Sequence, residues 1–251
     1  MRLLTLARDL KRRKARERQQ LFVSEGVRAV EELLASRLAI RGALVAPQLL
    51  DAPRGQALRR ALADRGVTVE EVEPREFASA AETESPQGVV AIADVPARSF
   101  ADIDGGWRGP MLVLDAVQDP GNVGTILRTA AAFGAVATIA MPGTVDLWNA
   151  KVVRSGMGAH FRHLAFSATW AEFDAFRGSA SLAVWGADAG GQPLGGDTPP
   201  RLALVVGNEG AGLSTEAQQR TQRTVSLPLA SGVESLNVAV AAGVLLYLLR
   251  S

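Results

Sequence analysis

The feature that most constrains the fold is an apolar run at residues 111–117, followed at once by Asp-Pro-Gly-Asn and a helical pattern. Apart from Asp115 the run is apolar on both faces, which is typical of a strand buried in a parallel sheet. Similar short apolar runs alternate with helical patterns along the rest of the chain. This alternation predicts an α/β fold built in layers.

Residues 1–95 are predicted to form a compact unit of their own. A helix is expected at residues 25–34 with Ser24 as its N-cap, and a short helix is expected after Pro74. The other elements predicted here are strands at residues 40–45, 67–72 and 88–93 and a helix at residues 56–64. Residues 94–110 are rich in Pro, Gly and Asp and have no sustained period. We therefore place a linker at residues 96–109 and a second domain at residues 110–251.

The second domain is predicted to continue the alternation of strands and helices. A helix at residues 123–133 is closed by Gly134 and followed by a strand at residues 136–141. Further strands or short helices are predicted at residues 152–157, 182–185, 202–206 and 224–227. The last helix, residues 233–249, is apolar on nearly every side, so it must be buried by the sheet or by another subunit. This pattern predicts a homodimer.

The composition excludes several classes of protein. The 251 residues are 47% hydrophobic and 21% charged, a balance typical of soluble globular proteins and unlike disordered chains or coiled coils. No apolar run reaches the roughly 18 residues of a membrane-spanning helix, and the basic start of the chain lacks the apolar core of a secretory signal. The chain has no Cys, which excludes disulfides and thiolate sites and makes the cytoplasm the expected location.

Positive charge is concentrated in residues 1–20. Eight Lys or Arg against two acidic residues give this segment a charge of +6, within a chain whose net charge is +1. Such an arm suits a nucleic-acid backbone, which attracts Lys and Arg irrespective of base sequence. It also fits a solvated helix, because Leu3, Leu6 and Leu10 recur at helical spacing. The sequence leaves both interpretations open.

Three loops that follow predicted strands contain the polar residues suited to chemistry, at the edge where open α/β sheets bind ligands. The first loop, residues 119–130, places Asn122 and Gly124 at a helix N-terminus, where free backbone N–H groups can hold an anion. Arg128 lies further along this helix, and its guanidinium can grip a phosphate with two hydrogen bonds. A capped helix with one solvated Arg would have the same pattern.

The second loop, residues 205–214, holds Glu209 among three glycines that let the backbone approach a ligand closely. Its spacing matches neither a Walker A loop nor the G-x-G-x-x-G pattern, and a plain glycine-rich turn with an exposed Glu is the alternative. The third loop, residues 226–243, places Ser235 and Asn237 at the start of an apolar helix. There they can cap the helix or contact a ligand.

Taken together, these segments resemble the SpoU (TrmH-like) family of RNA 2′-O-ribose methyltransferases, within the SPOUT superfamily. Three motifs of that family occur in its order and with its spacing. The matching residues are Asn122 with Arg128-Thr129, then Gly207, Glu209, Gly210 and Gly212, and then Pro228 with Ser235-Leu236-Asn237. Residues 1–95 resemble, more loosely, the small α/β RNA-binding domain that often precedes this catalytic domain.

The resemblance implies a fold that the periodicity does not show. It implies that the C-terminal parallel-sheet domain is threaded through a loop to form a deep trefoil knot, whereas general connection rules favour an unknotted sheet. It also implies S-adenosylmethionine as the cofactor, bound in the knot, with Gly207, Leu227 and Leu236 at the binding positions. A homodimer formed through the knotted domain is implied as well.

The activity implied by the resemblance is methylation of a ribose 2′-hydroxyl in structured RNA. Ribosomal RNA is favoured over tRNA because the chain has a separate N-terminal domain. Arg128 would be the catalytic residue, and the residues that position it and the ribose would be Asn122, Glu209, Ser235 and Asn237. The family's assignment of Arg as a base conflicts with a guanidinium's firm hold on its proton, and phosphate anchoring would explain the same residue.

A non-catalytic RNA-binding or ribosome-assembly factor that keeps the fold is the alternative function. The presence of all five catalytic-motif residues argues against it, because a binding module has no need of the full set.

Other candidate residues fit structural roles better. His160 and His163 lack the further ligands that a metal site requires, so no metal is expected. The Trp residues are expected to pack in the core, with Trp148 as the candidate for stacking on a base. Lys151 and Arg154 follow Trp148 and are candidates for contact with an RNA backbone.

Overall fold

The structure is a computed structural model that describes residues 2–250 and divides into two compact units. The first unit runs to Ala97 and also takes in Trp148–Arg162. The second unit comprises Arg98–Leu147 and the residues from His163 onward. Within residues 2–250 no helix has the length and apolar character needed to span a membrane.

The bounds of the regular elements follow in chain order. The α-helices are α1 (Leu3–Asp9), α2 (Arg13–Gln19), α3 (Val27–Leu34), α4 (Pro53–Asp64), α5 (Pro74–Ala80), α6 (Pro120–Ala132), α7 (Ala150–Ser155), α8 (Trp170–Ala180), α9 (Thr215–Arg220) and α10 (Val238–Leu249). The strands are β1 (Leu21–Glu25), β2 (Ile40–Val45), β3 (Val69–Glu71), β4 (Val89–Asp94), β5 (Gly109–Leu114), β6 (Thr138–Ala140), β7 (Ala165–Ser167), β8 (Ala183–Pro193), β9 (Arg201–Val206) and β10 (Arg223–Ser226).

The first unit is built on a four-stranded mixed sheet with the order β1-β4-β2-β3. Strand β4 is antiparallel to both of its neighbours, and β3 is parallel to β2. The predicted helix start at residue 25 with Ser24 as N-cap is wrong. Ser24 and Glu25 lie in β1, where they pair with β4, and α3 begins after Gly26, whose φ is +97°. The short run Leu-Phe-Val is better suited to an extended strand than to a helical turn.

The basic segment at the start of the chain is folded into α1 and α2. The prediction that its leucines recur at helical spacing is confirmed. The face of the helix that carries them is buried rather than solvated, with Leu6 and Leu10 in a core that includes Phe77. Arg16 is also buried, and its Nη1 donates to the carbonyls of Leu10 and Lys11 at 2.7 and 2.9 Å. The exposed Arg12, Arg13 and Arg18 pair with the acidic residues Asp9 and Glu17.

Residues 148–162 belong to the first unit, although the sequence analysis assigns them to the second domain. Asn149 caps α7 by accepting a hydrogen bond from the backbone N–H of Lys151 at 2.9 Å. Trp148 is buried, with its ring 4.5 Å from that of Phe22 and 5.5 Å from that of His160 between centroids. The prediction that Trp148 is a core residue is therefore confirmed.

The second unit contains a parallel six-stranded sheet with the order β10-β8-β9-β5-β6-β7. The predicted buried strand forms its centre as β5, between β9 and β6. Residues 98–109 of the predicted linker instead belong to this unit, and Ile103 and Trp107 are buried in its core. Isolated apolar residues in a Gly-rich stretch have no period, which is why the sequence pattern does not reveal this packing.

Helix α10 begins at Val238, five residues after the predicted start at residue 233. Its inner side is buried through Ala242, Leu245 and Leu246. The opposite side is not covered in the described chain, because Val240 and Tyr247 are 52% and 48% exposed. Gly243 lies against α6, and a Cβ there would stand 3.1 Å from the methyl group of Thr129.

We expect Arg16→Ala to lower the free energy of unfolding by about 2 kcal/mol, because two carbonyls lose a charged donor in a buried site. Arg12→Ala is the matched control, since Arg12 is exposed and its pairing with Asp9 is expected to contribute under about 1 kcal/mol. Urea denaturation measures both values. Equal effects of the two substitutions would show that the buried contacts of Arg16 do not stabilise the helical arm.

Candidate active site

The loop between β5 and α6 is shaped by two aspartates. Asp119 is the N-cap of α6, and its Oδ1 accepts a hydrogen bond from the backbone N–H of Asn122 at 2.8 Å. Pro120 occupies the first helical turn, where its missing N–H costs nothing. Asp115 is buried and accepts hydrogen bonds from the backbone N–H and the hydroxyl of Ser214 at 2.6 and 2.9 Å. These contacts hold the start of α6 and the segment after β9 in place.

Glu209 links the glycine-rich loop after β9 to the start of α6. Its carboxylate accepts hydrogen bonds from the backbone N–H groups of Gln118 and Asp119 at 3.2 and 3.1 Å, and from Asn122 Nδ2 at 3.0 Å. Burial raises the pKa of Glu209, but the hydrogen bonds from Asn122 and from backbone N–H groups outweigh this effect. The pKa therefore lies below the ordinary 4.5, and the side chain is ionised at neutral pH.

Asn208 holds the glycine-rich loop closed. Its Oδ1 accepts hydrogen bonds from the backbone N–H groups of Gly210 and Ala211, both at 3.0 Å, and its Nδ2 donates to the carbonyl of Ala116 at 2.9 Å. Ala116 has a φ of +56°, a left-handed conformation that is costly for a residue with a Cβ. Asn208 is not among the site residues predicted from the sequence, although an Asn before glycines is a common turn former.

Asn237 connects the third segment to the other two. Its Nδ2 donates to Asn122 Oδ1 at 2.9 Å, while its own Oδ1 accepts hydrogen bonds from the backbone N–H groups of Ala239 and Val240 at the start of α10. A chain of hydrogen bonds thus runs from Asn237 through Asn122 to Glu209. Three of the predicted site residues, from three separate segments, are brought into direct contact.

A cavity of about 530 Å³ lies at the carboxyl ends of β9 and β10, against residues 187–189 of β8 and beside the start of α10. This volume is within the range of small-molecule and cofactor sites. Six of the predicted site residues line it, namely Gly207, Glu209, Leu227, Ser235, Leu236 and Asn237. Its walls also include Asp188, which sequence analysis missed. The Asp-Ala-Gly-Gly stretch after an apolar run was the available signal, because Asp before glycines forms turns.

The two remaining predicted residues lie outside the lining of this cavity. Asn122 does not line the cavity, but it is hydrogen-bonded to two residues that do, Glu209 and Asn237. Arg128 is exposed on α6, and its side chain makes no hydrogen bond or ion pair with any residue in the range 2–250. Its guanidinium is therefore available to a ligand.

The two histidines have structural surroundings. His163 is buried, and its Nε2 lies 2.8 Å from the hydroxyl of Thr138. Burial, together with the positive charge of Arg98, lowers the pKa of His163 to about 4, so the ring is neutral near pH 7. Across residues 2–250 no cluster of three or more His, Asp or Glu side chains is placed to hold a metal ion.

Comparison with known proteins identifies relatives of the whole chain. The model of the SpoU rRNA Methylase family matches residues 109–247, and that of the MRM3-like substrate binding domain matches residues 5–91. The chain is 33% identical over 246 residues to the 23S rRNA (guanosine(2553)-2'-O)-methyltransferase RlmP of Bacillus subtilis (strain 168), covering 97% of this chain and 94% of that protein.

Solved structures show the same similarity over the full length. An AdoMet-bound rRNA methyltransferase from Sinorhizobium meliloti matches with a TM-score of 0.85 and 28% identity, covering 99% of this chain and 94% of that chain. The SpoU methyltransferase AviRb from Streptomyces viridochromogenes, in complex with AdoMet, matches with a TM-score of 0.86 and 28% identity, covering 98% and 96%.

We expect Gly207→Ala to disrupt the glycine-rich loop, because the added Cβ would lie 2.3 Å from the carbonyl oxygen of Gly212. Gly210→Ala is the matched control in the same loop, since the nearest atom to its Cβ would be 3.8 Å away. Thermal unfolding and the amide NMR signals of Asn208 and Gly212 measure the effect. Similar spectra for both variants would contradict the close contact at Gly207.

Proposed function

The chain belongs to the SpoU rRNA methylase family, and from this premise we propose that it methylates a ribose 2′-hydroxyl of ribosomal RNA with S-adenosylmethionine as the methyl donor. The observation that carries the proposal is the hydrogen-bond chain from Asn237 through Asn122 to Glu209 at the cavity. It joins the three family motifs at one place. Because the RlmP relative is named for 23S rRNA, that RNA is the first substrate to test.

The cavity fits S-adenosylmethionine in size and in chemistry. Its apolar walls, which include Leu227, Leu229 and Leu236, suit a purine ring, and its two carboxylates suit a cofactor with cationic and hydroxyl groups. When bound, the cofactor supplies an activated methyl group. We propose that Gly207, Leu227 and Leu236 hold it, with the absence of a side chain at Gly207 keeping the backbone of the loop accessible.

We propose that the polar residues at the edge of the cavity orient the ribose. Methyl transfer requires the 2′-oxygen to be aligned with the methyl carbon while its proton leaves. Asn122, Glu209, Ser235 and Asn237 supply the donors and acceptors for this alignment at the cavity edge. Glu209 is poorly suited to accept the proton, because its lowered pKa makes it a weak base. Its role in the proposal is therefore positioning.

Arg128 is proposed as the catalytic residue that anchors the RNA. It is exposed on α6, and the described residues leave its five N–H donors unused. A guanidinium retains its proton in proteins and binds phosphate in a bidentate manner. We assign Arg128 to a phosphate next to the target ribose, and the 2′-hydroxyl proton is then lost to that phosphate or to water.

The test is transfer of labelled methyl groups from S-adenosylmethionine to ribosomal RNA and to bulk tRNA, followed by mapping of the 2′-O-methylated nucleotide. We expect ribosomal RNA to be labelled, and Arg128→Ala to lower kcat/KM by about 100-fold or more. If Arg128 contacts a phosphate, RNA binding by the variant also depends less steeply on salt. The slope of the logarithm of the RNA-binding constant against the logarithm of the salt concentration is then smaller in magnitude by about one unit.

Arg108→Ala is the control, because Arg108 is equally exposed in the second unit and lies outside the cavity. Binding of cofactor and RNA without labelling of either RNA would favour the non-catalytic assembly factor. Full activity of Arg128→Ala would remove Arg128 from the mechanism.

We propose that RNA is also held by the first unit, with residues 1–95 as the binding domain and residues 110–251 as the catalytic domain, apart from Trp148–Arg162, which belong to the first unit. The match of residues 5–91 to a substrate binding domain supports this division. Lys14, Arg60 and Arg75 are exposed and make no ion pair with a described residue, which leaves their charges available to phosphates. The catalytic domain is proposed to contain the family's deep trefoil knot.

A homodimer is proposed through α6 and α10 of the second unit. A groove of about 400 Å³ between these helices is lined by Phe133, Val240, Val244 and Tyr247. The exposed apolar side of α10 continues this surface, with Leu248 54% exposed. An apolar strip of this kind on a helix is typical of a subunit interface.

We expect Val244→Asp to weaken dimerisation by about 2 kcal/mol or more, because it places a charge in an apolar contact. Light scattering after gel filtration, over a range of protein concentrations, measures the change. Leu50→Asp is the control, since Leu50 is a similarly exposed leucine of the first unit. A wild-type protein that is monomeric at every concentration would refute the proposed interface.

A further inference from the structure

Asp188 is a carboxylate of the cavity lining to which no particular group of the cofactor has been assigned above. It lies in β8 just beyond the ladder with β9, which ends at the pair Ala187 and Val206. Gly207 is the corresponding first residue beyond the ladder on β9. Strand β8 also pairs with β10, and this pairing skips from Gly186 to Gln192. Residues 187–191 therefore bulge from the sheet, and Asp188, within the bulge, lines the cavity.

The orientation of Asp188 is set by the bulge. Its Oδ1 accepts a hydrogen bond from the backbone N–H of Gly190 at 2.8 Å. Its Oδ2 lies 3.8 Å from the place that a Cβ would occupy on Gly212, and so faces the glycine-rich loop. Oδ2 accepts no hydrogen bond from residues 2–250, whereas Glu209, the other carboxylate of the lining, already accepts three.

A carboxylate that faces a glycine-rich loop on the neighbouring strand has a known chemical use. In dinucleotide-binding folds, a carboxylate at the end of the strand beside the glycine-rich loop accepts hydrogen bonds from ribose hydroxyls. The chemistry is general, because two neighbouring hydroxyls are donors and an ionised carboxylate is purely an acceptor. Here β8 stands beside β9 in the same way, although the glycine spacing of the loop is different.

We propose that Asp188 binds the ribose hydroxyls of the nucleoside half of S-adenosylmethionine and thereby contributes to cofactor specificity. The inference rests on the proposed function, since it takes this cofactor as the occupant of the cavity. Asp188 is a binding residue in this assignment and takes no part in proton transfer.

The test is calorimetric binding of three ligands to the wild type and to Asp188→Asn. The ligands are S-adenosylmethionine, S-adenosylhomocysteine, which lacks the sulfonium charge, and methylthioadenosine, which also lacks the amino acid. Because all three keep the ribose, we expect the substitution to weaken each by the same factor, about tenfold for one charge-assisted hydrogen bond. Asp197→Asn is the matched control, because Asp197 is exposed and outside the cavity lining, and its affinities should stay within about twofold of the wild type.

Deletion of single hydroxyls completes the test. The 2′-deoxy and 3′-deoxy forms of S-adenosylhomocysteine should bind the wild type about tenfold more weakly than the parent ligand, and this penalty should be lost for at least one of them in Asp188→Asn. Asp188→Ala, with thermal unfolding of each variant, separates loss of binding from loss of folding.

Several results would overturn the assignment. Weaker binding of S-adenosylmethionine alone would show that Asp188 interacts with the sulfonium charge. Weaker binding of S-adenosylmethionine and S-adenosylhomocysteine, with unchanged binding of methylthioadenosine, would show contact with the ammonium group of the amino acid. Unchanged affinities would show no contact at all. A wild type that binds none of the three ligands would overturn the proposed function itself, and the inference with it.

Discussion

The three hydrogen bonds accepted by Glu209 are the interaction on which the site depends. They join the loop after β9 to the loop after β5, and these two strands are neighbours in the parallel sheet with Leu114 opposite Val206. Residues about 90 positions apart in the chain therefore meet at one edge. Removing a carboxylate from water is unfavourable, and here the fixed N–H donors offset that cost and keep the group ionised. The site is thus organised before any ligand binds.

The direction of the hydrogen-bond chain follows from the chemistry of its ends. An ionised Glu209 only accepts hydrogen bonds, so Asn122 must turn its Nδ2 toward it and its Oδ1 toward Asn237. Asn237 in turn must point its Nδ2 at Asn122, which leaves its Oδ1 to cap α10. Each amide has one satisfactory orientation. The polar groups that we assign to the ribose are consequently held in fixed positions by a helix N-terminus at one end and a carboxylate at the other.

Much of the fold is predictable where the chain has a strong local period. The buried strand β5, the capped helix α6 and the apolar helix α10 are all predicted by the pattern of apolar residues, although α10 begins five residues later than predicted. The errors occur where the period is weak. Strand β1 is only five residues long, and Ile103 and Trp107 are isolated apolar residues whose burial depends on the core of the second unit. The partner that covers the exposed side of α10 is likewise not encoded locally, since hydrophobicity alone does not say what covers a helix.

The sequence by itself determined which residues have the chemistry for the site, because Asn122, Glu209 and Asn237 occur in motifs whose order and spacing are specific. It also determined the parallel sheet, through strands that are apolar on both faces. Only the tertiary structure decided which of these side chains touch, and it added Asn208 and Asp188 to the site. The physical reason is that contacts across a parallel sheet depend on strand order and register. In this chain β9 lies between β8 and β5, an order that no local pattern of residues encodes.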